Sequence, residues 1–380
     1  MKIIRLLSIL DFRIPLQKKN IFLSEMSFSR LKKIDIFKKF GVISLLDEKI
    51  NIFIIIITIY KNGFSDLKKN YIKNYINFVN PSIVVCYIDN YYPFYELYNF
   101  FKKKKIISVS IQNGMRTIVG DIFNLFSKKI VDLGCDYLLT MNKSVGEKFL
   151  EYITAKNIII GSISNNNNKI KNLNKKKKIL FISQFNENII QNGFYDMGSK
   201  KIYSAESFYK AEKIVVNFLV NFCKRNNFKF EIASNGSSNL EKEYNFFSSM
   251  IPNDFEFKLL KKIHENSTYK YSDEAEYTAF IESTVGYESF ARRNKIVGFS
   301  IRGNFLDKTH GHSFAWPSKN ISEGPCWTSR NNINEFRRIE NFMLNSGNND
   351  WNDIFDKYAE KIMIHDVNNS ILNNFFKKII

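Results

Sequence analysis

The stretch FIESTVGYESFARRNKIVGFS, residues 280–300, is the part of the sequence that decides the predicted fold. It opens with the end of an apolar strand, which is followed by the hydroxyl residues Ser283 and Thr284. Residues 285–293 then carry apolar side chains at helical spacing, and residues 295–300 form the next apolar run. A strand, a turn, a helix and a second strand in this order are typical of a parallel sheet covered by helices.

The same alternation extends over most of the chain. We expect strands at residues 52–59, 82–88, 106–111, 136–140, 157–160, 179–183, 228–233, 255–260, 277–281 and 295–300. We expect helices at residues 64–78, 95–103, 144–153, 205–224, 239–249, 285–293, 333–344 and 351–362. The run INIFIIIITIY, residues 50–60, is too short to span a membrane and rich in β-branched residues, so it predicts a buried strand.

The length of 380 residues exceeds what one hydrophobic core usually organises, so two domains are expected. The polar segment SNNNNKIKNLNKKKK, residues 164–178, predicts a linker, although its composition also suits a surface loop. This divides the chain into an N-terminal α/β domain (1–163), a C-terminal α/β domain (179–330) and terminal helices (331–380). Two Rossmann-like domains with parallel sheets would face each other across a central cleft, where ligands bind at the carboxyl ends of the strands.

The composition, with 44% apolar and 24% charged residues, is that of a soluble globular chain. Four scattered cysteines without a C-x-x-C pair argue against a disulfide scaffold and a structural zinc site. The net charge of +19 has two explanations, a partner with negative charge or the codon bias of an AT-rich genome. With no apolar run of spanning length and no signal peptide, we predict a cytoplasmic protein, and the charge also suits peripheral contact with an anionic inner membrane.

The candidate residues for binding a nucleotide lie around the turn that starts the helix at 285–293. Hydroxyls and free backbone N–H groups at a helix start form an anion site, so Ser283 and Thr284 suit a nucleotide phosphate. The simpler interpretation is that they only cap the helix. Gly286 would allow a close approach of backbone and ligand, and Glu288 could accept hydrogen bonds from ribose hydroxyls.

Polar residues follow two strands of the predicted N-terminal domain. They are candidates for binding a sugar and for catalysis. Gln112 and Asn113 could contact sugar hydroxyls and Arg116 could hold an anion through two hydrogen bonds, although Asn-Gly is also an ordinary turn. Asp89 follows an apolar strand and is a candidate general base, with an Asx-turn or a helix cap as the alternative. Asp121 has a similar claim.

Further polar residues follow strands of the second half. Ser183 and Gln184 end the strand at 179–183 and should face the cleft. His264 could contact a donor phosphate, although a lone histidine is more often a surface or packing residue. The loop WPSKNISEGPCWT, residues 316–328, could cover a nucleotide or pack against the terminal helices.

Several common site motifs are absent from the sequence. It contains no P-loop, no G-x-G-x-x-G, no H-E-x-x-H and no G-x-S-x-G, which argues against P-loop hydrolysis, a Rossmann dinucleotide site, zincin proteolysis and α/β-hydrolase chemistry. It also contains no D-x-D metal motif. We therefore expect neither a cofactor nor a metal site.

Taken in order, several segments resemble a family of bacterial surface carbohydrate biosynthesis proteins that is similar to the GT-B glycosyltransferases. The first 45 or so residues match nothing that we can name. The matching segments are YIDN, SIQNGMR with GDIF, DYLLTMN, IIIGSISNN, KILFISQF, YSAES, FIESTVGYESFARRNKIVGFS and FAWPSKNISEGPCWT.

The resemblance implies a metal-independent GT-B glycosyltransferase that moves a sugar from a nucleotide donor to a glycan or lipid-linked glycan at the bacterial surface. Ser283 and Thr284 would hold the donor phosphate and Glu288 would face the nucleotide. The donor would be a CMP-sugar or a UDP-sugar, and the Ser-Thr arrangement resembles the CMP branch. The alternatives are a sugar-nucleotide epimerase of the same fold and a basic non-catalytic protein that binds nucleic acid.

The chain departs from the related transferases at two positions. Asn113 precedes Gly114 where many capsule and teichoic-type transferases have His-Gly, and Glu265 follows His264 where they have His-Pro. These differences weaken a direct transfer of histidine-based catalysis or of the donor's identity to this sequence.

Overall fold

The computed structural model describes residues 9–116, 123, 132–170, 174–196, 200–236, 239–306, 313–318 and 320–380. They form two α/β lobes, each built on a six-stranded sheet. The N-lobe sheet consists, in spatial order, of β3 (Gly41–Ile43), β2 (Asn20–Leu23), β5 (Ile83–Cys86), β6 (Ile107–Ile111), β7 (Gly134–Thr140) and β8 (Thr154–Ile159). A separate parallel pair is formed by β1 (Leu10–Asp11) and β4 (Ile50–Asn51).

The C-lobe sheet is also parallel throughout. Its spatial order is β13 (Phe257–Leu260), β12 (Lys229–Ala233), β9 (Lys176–Ile182), β14 (Ala275–Phe280), β15 (Ile296–Phe299) and β16 (Trp327–Thr328). A short antiparallel hairpin is formed by β10 (Phe194–Asp196) and β11 (Lys201–Tyr203). The expected architecture, two Rossmann-like domains with parallel sheets, is therefore confirmed.

Helices cover both faces of each sheet, as parallel strands require because their connections cross over the sheet. Those between the N-lobe strands are α1 (Glu25–Leu31), α2 (Ile52–Asn62), α3 (Leu67–Val79), α4 (Tyr92–Tyr95), α5 (Tyr98–Lys104) and α6 (Lys143–Leu150), and α7 (Ile163–Asn166) follows β8. Those after β9 are α8 (Glu187–Asn192), α9 (Ala205–Asn226), α10 (Leu240–Ser248), α11 (Ser267–Glu274), α12 (Thr284–Ala291), α13 (Ile333–Asn345), α14 (Asn348–Ile362) and α15 (Ser370–Ile379). In the described parts of the chain, no helix is long and apolar enough to cross a membrane.

The last helix packs on the N lobe rather than on the lobe that precedes it. The ring of Phe376 in α15 meets Phe37 edge-on at 4.9 Å, and Phe375 contacts Tyr137 of β7 at the same distance. By contrast, α13 and α14 join the C-lobe core through Phe336 and other apolar side chains. The segment 331–380 is thus shared between the two lobes.

The predicted strand at residues 52–59 is wrong, because this segment is the helix α2. Asn51 caps the helix by accepting a hydrogen bond from Ile54 N at 3.1 Å. Gly63, in the left-handed region with φ of 61°, follows its last residue. Helix capping at both ends therefore overrides the preference of β-branched residues for strands.

The predicted linker at 164–178 is partly structured. Its first residues belong to α7, and β9 begins at Lys176. The buried guanidinium of Arg292 anchors the residues just after α7 by donating to Asn168 O at 2.9 Å and Lys169 O at 3.1 Å. Asp273 accepts from the same guanidinium at 2.9 and 2.5 Å, so the start of the connection is fixed to the C lobe.

Candidate functional site

The turn that contains Ser283 and Thr284 lies at the carboxyl end of β14, where α12 begins. Ser283 occupies the N-cap position with an extended backbone (φ −74°, ψ 132°). Its side chain makes no capping hydrogen bond to any described residue of α12. The hydroxyl is therefore not used to cap the helix, in contrast to the simpler interpretation of the sequence. The positive end of the helix dipole and this hydroxyl are together suited to an anion.

The turn faces the N lobe across the cleft. Thr284 Oγ1 accepts a hydrogen bond from Met115 N at 3.3 Å. A Cβ atom placed on Gly114 would lie 3.8 Å from the same oxygen, which is ordinary contact distance. The start of α12 and the loop that follows β6 are therefore opposite one another, as the two-lobed prediction requires.

The loop that follows β6 is held in place by the buried side chain of Gln112. Its Nε2 donates to Gly114 O at 2.7 Å, and its Oε1 accepts from Met141 N at 2.7 Å. Gln112 is therefore fully engaged within the N lobe, and its amide orients the backbone opposite Thr284. Asn113 is half-buried in the same loop, so its side chain is less enclosed than that of Gln112.

Arg116 and Asp89 form a buried ion pair behind this loop. Arg116 Nε donates to Asp89 Oδ2 at 2.7 Å, and its Nη2 donates to both Asp89 Oδ1 and Asn113 Oδ1. Asn113 N also donates to Asp89 at 3.1 Å. Arg116 thus pairs with Asp89, and the pair fixes the loop. The second predicted base, Asp121, lies outside the described residues.

Glu288 lies one turn into α12 and is buried where the two lobes meet. It accepts hydrogen bonds from the hydroxyl of Ser162, at the end of the N lobe, and from Tyr269 of α11, the latter at 3.0 Å. Burial raises the pKa of Glu288 to about 7, while the two hydroxyl donors act in the opposite direction. The carboxylate therefore joins the lobes, and no pattern in the sequence indicates its partner Tyr269.

Gly286 serves helix packing rather than ligand approach. A Cβ atom at this position would lie 2.1 Å from Cγ of Phe280, so only glycine lets α12 rest on that ring. Phe280 ends β14 and also packs against Tyr287 at 5.1 Å. The predicted role of Gly286 in donor binding is corrected accordingly, and its contribution to the turn is indirect.

Ser183 and Gln184 lie at the end of β9, as predicted, but both make bonds within the C lobe. Ser183 Oγ donates to the buried Glu243 at 2.5 Å. Gln184 Oε1 accepts from Glu282 N at 3.2 Å and from the buried Arg302 at 3.1 Å. Gln184 thereby supports the residue that immediately precedes Ser283.

Arg302 is a supporting residue that the sequence did not indicate. Its guanidinium is fully buried and donates to Glu212 at 2.8 Å and to Glu282 at 2.8 Å. It also lies over the ring of Phe208, 3.9 Å from the centroid. Since Glu282 is the first residue of the turn after Ile281, this cluster sets the direction in which the turn leaves β14.

His264 is exposed in the loop between β13 and α11. Its backbone N donates to Ser267 Oγ at 2.9 Å. The next residue, Glu265, pairs with Lys33 of the N lobe at 2.6 Å, so the loop reaches the opposite lobe. This position is compatible with the predicted contact to a donor phosphate, which stays a prediction.

A crevice of about 950 Å³ separates α6 of the N lobe from residues 313–318 and 320–322 of the C lobe. Trp316 lines it and meets the ring of Phe123 at 5.3 Å. The Trp316 segment is fixed to α12, since Ala315 N donates to Tyr287 Oη at 3.0 Å. Lys148 and Tyr152 line the opposite wall. The described first part of the loop at 316–328, up to Ser322, therefore borders the space between the lobes on the side next to α12.

The burial of Glu288 predicts a stability change with pH. Because its folded pKa is raised to about 7, the folded state holds a proton that the unfolded state has released between pH 4.5 and 7. Stability should therefore fall as pH rises through this window, by roughly 3 kcal/mol at most. Urea unfolding of the wild type and Glu288→Gln at pH 5, 6, 7 and 8 measures the change.

The difference between these two proteins is informative because Glu212 also has a pKa raised by burial. The contribution of Glu212 to the pH dependence of stability is the same in both proteins and cancels in their difference. We expect Glu288→Gln to remove a clear part of the slope between pH 5 and 7. Identical slopes in the two proteins would show that Glu288 does not titrate in this window.

Comparison with solved structures shows where else this fold occurs. UDP-GlcNAc 2-epimerase from Methanocaldococcus jannaschii is 11% identical, with a TM-score of 0.50 over 95% of this chain and 100% of that one. The wall teichoic acid polymerase TagF is 12% identical, with a TM-score of 0.49 over 96% of this chain and 89% of that one. At 11% identity the likeness to the epimerase concerns the fold alone. No curated protein matches the sequence significantly.

A protein family described as "putative O-antigen biosynthesis protein" matches residues 109–380, more than two thirds of the chain. The match includes the loop after β6, all of the C lobe and the turn at Ser283. It agrees with the resemblance to surface carbohydrate biosynthesis proteins that the sequence segments indicated. The chain belongs to this family of O-antigen biosynthesis proteins.

Proposed function

We propose that this protein is a GT-B-type glycosyltransferase that moves a sugar from a nucleotide donor to a glycan of the bacterial surface. The observation that carries the proposal is the turn at Ser283 and Thr284. It combines a hydroxyl not used for capping with a helix start, and it faces the other lobe across the cleft. Membership in an O-antigen biosynthesis family supplies the class of pathway.

The donor phosphate would bind at the start of α12. The hydroxyls of Ser283 and Thr284 and the first backbone N–H groups of the helix would donate to its oxygens. The same donors stabilise the charge that develops on the leaving phosphate when the bond to the sugar breaks. Because the helix and the hydroxyls supply this stabilisation, the transfer needs no metal ion, and activity should persist in a chelator.

The nucleoside would extend from the turn toward Glu288 and Tyr269. In the structure, the hydroxyl of Ser162 in the N lobe donates a hydrogen bond to one oxygen of Glu288. A ribose hydroxyl can replace the serine hydroxyl as the hydrogen-bond donor, so the carboxylate stays paired. Binding of the donor would therefore be coupled to a small separation of the lobes at Ser162. CMP- and UDP-sugars are the proposed donors.

The catalytic base is proposed among the carboxylates of the N lobe. Asp89 is already paired with Arg116, so we assign it the positioning of residues 113–116. This leaves Asp121 as the predicted base for the acceptor hydroxyl. Asn113, on the loop that Asp89 holds, is proposed to contact the acceptor.

The acceptor glycan is proposed to lie in the crevice beside Trp316. An indole ring there offers an apolar surface with a polar N–H group, which suits a sugar ring. Trp316→Ala should raise the KM for acceptor by at least about tenfold with little change in the affinity for nucleotide. Steady-state kinetics with varied acceptor, and nucleotide titration of the same variant, separate the two effects. An equal KM for acceptor in the variant and the wild type would show that the acceptor does not bind in this crevice.

A lipid-linked acceptor would be met at the cytoplasmic face of the inner membrane. A cytoplasmic location with peripheral contact to anionic lipid therefore belongs to the same proposal. The basic charge of the chain, +19, is favourable for such contact.

The experiment that tests the proposal combines a nucleotide-sugar panel with and without a membrane acceptor fraction. We expect release of free nucleotide only when the acceptor is present. Sugar isomerisation without acceptor would instead identify an epimerase. Salt-dependent oligonucleotide binding without any nucleotide-sugar binding would identify a nucleic-acid-binding protein.

A further inference from the structure

The helix α2 presents large apolar side chains to solvent. Phe53, Ile56 and Tyr60 follow one another at helical spacing and are 39%, 61% and 89% exposed. Phe64, just beyond the end of the helix, continues the row and is 77% exposed. Scattered exposed apolar residues are normal on a protein surface, but a continuous row of this size marks an interaction site.

The inward side of α2 is partly polar, which is the reverse of an ordinary surface helix. The buried residues of α2 are Ile54 and Thr58. Thr58 Oγ1 donates to Ile54 O at 2.8 Å and accepts from Asn74 Nδ2 at 3.3 Å. Asn74 also donates to Asn62 Oδ1 at 2.9 Å. Hydrogen bonds thus attach α2 to α3, while four of the eight apolar residues of α2 are exposed.

The segment that precedes β2 exposes further apolar side chains near the start of α2. Phe12, Ile14 and Leu16 are 68%, 65% and 74% exposed. The segment is held at the start of α2, because β1 pairs with β4 and Asn51 Nδ2 donates to Arg13 O at 2.8 Å. We call the combined surface the apolar face, which consists of Phe12, Ile14, Leu16, Phe53, Ile56, Tyr60 and Phe64.

The two segments that carry the apolar face are rich in basic residues. Residues 11–19 and 52–79 contain seven Lys and Arg but only two acidic residues, a surplus of five positive charges. The basic residues are Arg13, Lys18, Lys19, Lys61, Lys68, Lys69 and Lys73, and the acidic ones are Asp11 and Asp66. Arg13 pairs with Asp11, Lys68 with Asp47 and Lys69 with Glu96, which reduces the surplus locally. The surface nevertheless combines exposed apolar side chains with net positive charge.

We propose that the apolar face binds an anionic membrane surface, with α2 lying in the headgroup region. Eleven helical residues extend about 16 Å, too short for the roughly 30 Å of a hydrocarbon core, so the helix lies along the membrane. Apolar side chains that enter the acyl boundary and lysines that reach lipid phosphates are the usual basis of such binding. The inference deepens the membrane contact of the proposed function but does not depend on glycosyl transfer.

A second copy of the chain is a less favourable occupant. A symmetric dimer would place this surface against itself. The basic residues around the apolar face would then approach their own copies, and like charges repel. An anionic lipid surface satisfies both the apolar side chains and the positive charge.

Co-sedimentation with vesicles tests the inference on the full chain. The vesicles contain phosphatidylcholine alone or with phosphatidylglycerol, and we expect binding to the anionic vesicles that weakens with salt. The variant Ile56→Ser/Tyr60→Ser/Phe64→Ser should lose at least about tenfold in vesicle affinity. The matched control is Ile202→Ser/Ile263→Ser/Ile333→Ser, which removes three exposed apolar side chains from the C lobe and should bind normally.

Two further measurements test the role of the positive charge and the integrity of the cleft. Lys18→Glu/Lys19→Glu/Lys61→Glu should weaken binding to anionic vesicles and remove most of its salt dependence. Nucleotide titration of each variant reports the integrity of the cleft independently of lipid. The inference fails if wild-type protein ignores anionic vesicles or if the serine variant binds them equally well. It also fails if the apolar face forms a dimer in sedimentation equilibrium that the serine variant loses.

Discussion

Replacing Ser283 and Thr284 with alanine should severely weaken nucleotide binding and leave the fold intact. Each hydroxyl is proposed to donate to a charged phosphate, and such hydrogen bonds contribute about 1.5–3 kcal/mol. Loss of both should weaken nucleotide affinity by at least about a hundredfold. Ser283 makes no capping bond to the described residues of α12, so its removal should cost the helix little. Isothermal titration with CMP, UDP, GDP and CDP measures the affinities.

The control for this variant is Ser249→Ala in the same lobe. Ser249 is an exposed residue at the end of α10, where its hydroxyl donates to Phe246 O at 2.7 Å. Loss of this hydroxyl should leave the nucleotide affinity unchanged. If the double alanine variant binds the preferred nucleotide as tightly as the control, the phosphate site is not at the start of α12.

Asp89→Asn should destabilise the protein by about 3–5 kcal/mol, because it removes the charge of a buried carboxylate that pairs with Arg116. Turnover should also fall, since the loop that faces Thr284 loses its anchor. Urea unfolding and acceptor-dependent kinetics measure the two effects. Donor binding should persist, because the proposed donor contacts are on the C lobe.

The matched control is Asp254→Asn, which removes one partner of the exposed pair between Asp254 and Lys224. An exposed pair contributes about 0–1 kcal/mol, so this variant should unfold almost like the wild type. The double variant Asp89→Asn/Arg116→Gln should cost less than the sum of its single changes. If Asp89→Asn stops turnover without loss of stability and abolishes one limb of the pH–rate profile, Asp89 is the base rather than a positioning residue.

Much of the fold is readable from the sequence because parallel strands are buried on both faces. Their apolar runs are nearly continuous, and apart from residues 52–59 every predicted strand and helix lies within three residues of an observed one. The exception, α2, shows that a run of isoleucines does not distinguish a strand from an outward-facing apolar helix. The short elements β2, α1 and β3 escaped prediction because charged residues separate brief apolar runs.

The sequence predicted the candidate site only where its residues are close together in the chain. The strand, turn and helix around Ser283 follow from consecutive residues, and the structure places them opposite the loop at Gln112. The partners of buried charges were not predictable, because they are distant in sequence. Asp89 and Arg116 are 27 residues apart, and Ser162 and Glu288 are 126 apart. The sequence suggested catalysis for Asp89, an anionic ligand for Arg116 and a nucleotide for Glu288, whereas the structure shows a protein partner for each.

The central claim is that the Ser283 turn holds the donor phosphate between the lobes. A crystal structure of the protein with CMP or UDP bound measures this directly. The account predicts phosphate oxygens within hydrogen-bond distance of the Ser283 and Thr284 hydroxyls, and a ribose hydroxyl at Glu288 in place of Ser162. A nucleotide bound elsewhere, with Thr284 still bonded to Met115 and Glu288 to Ser162, would contradict it.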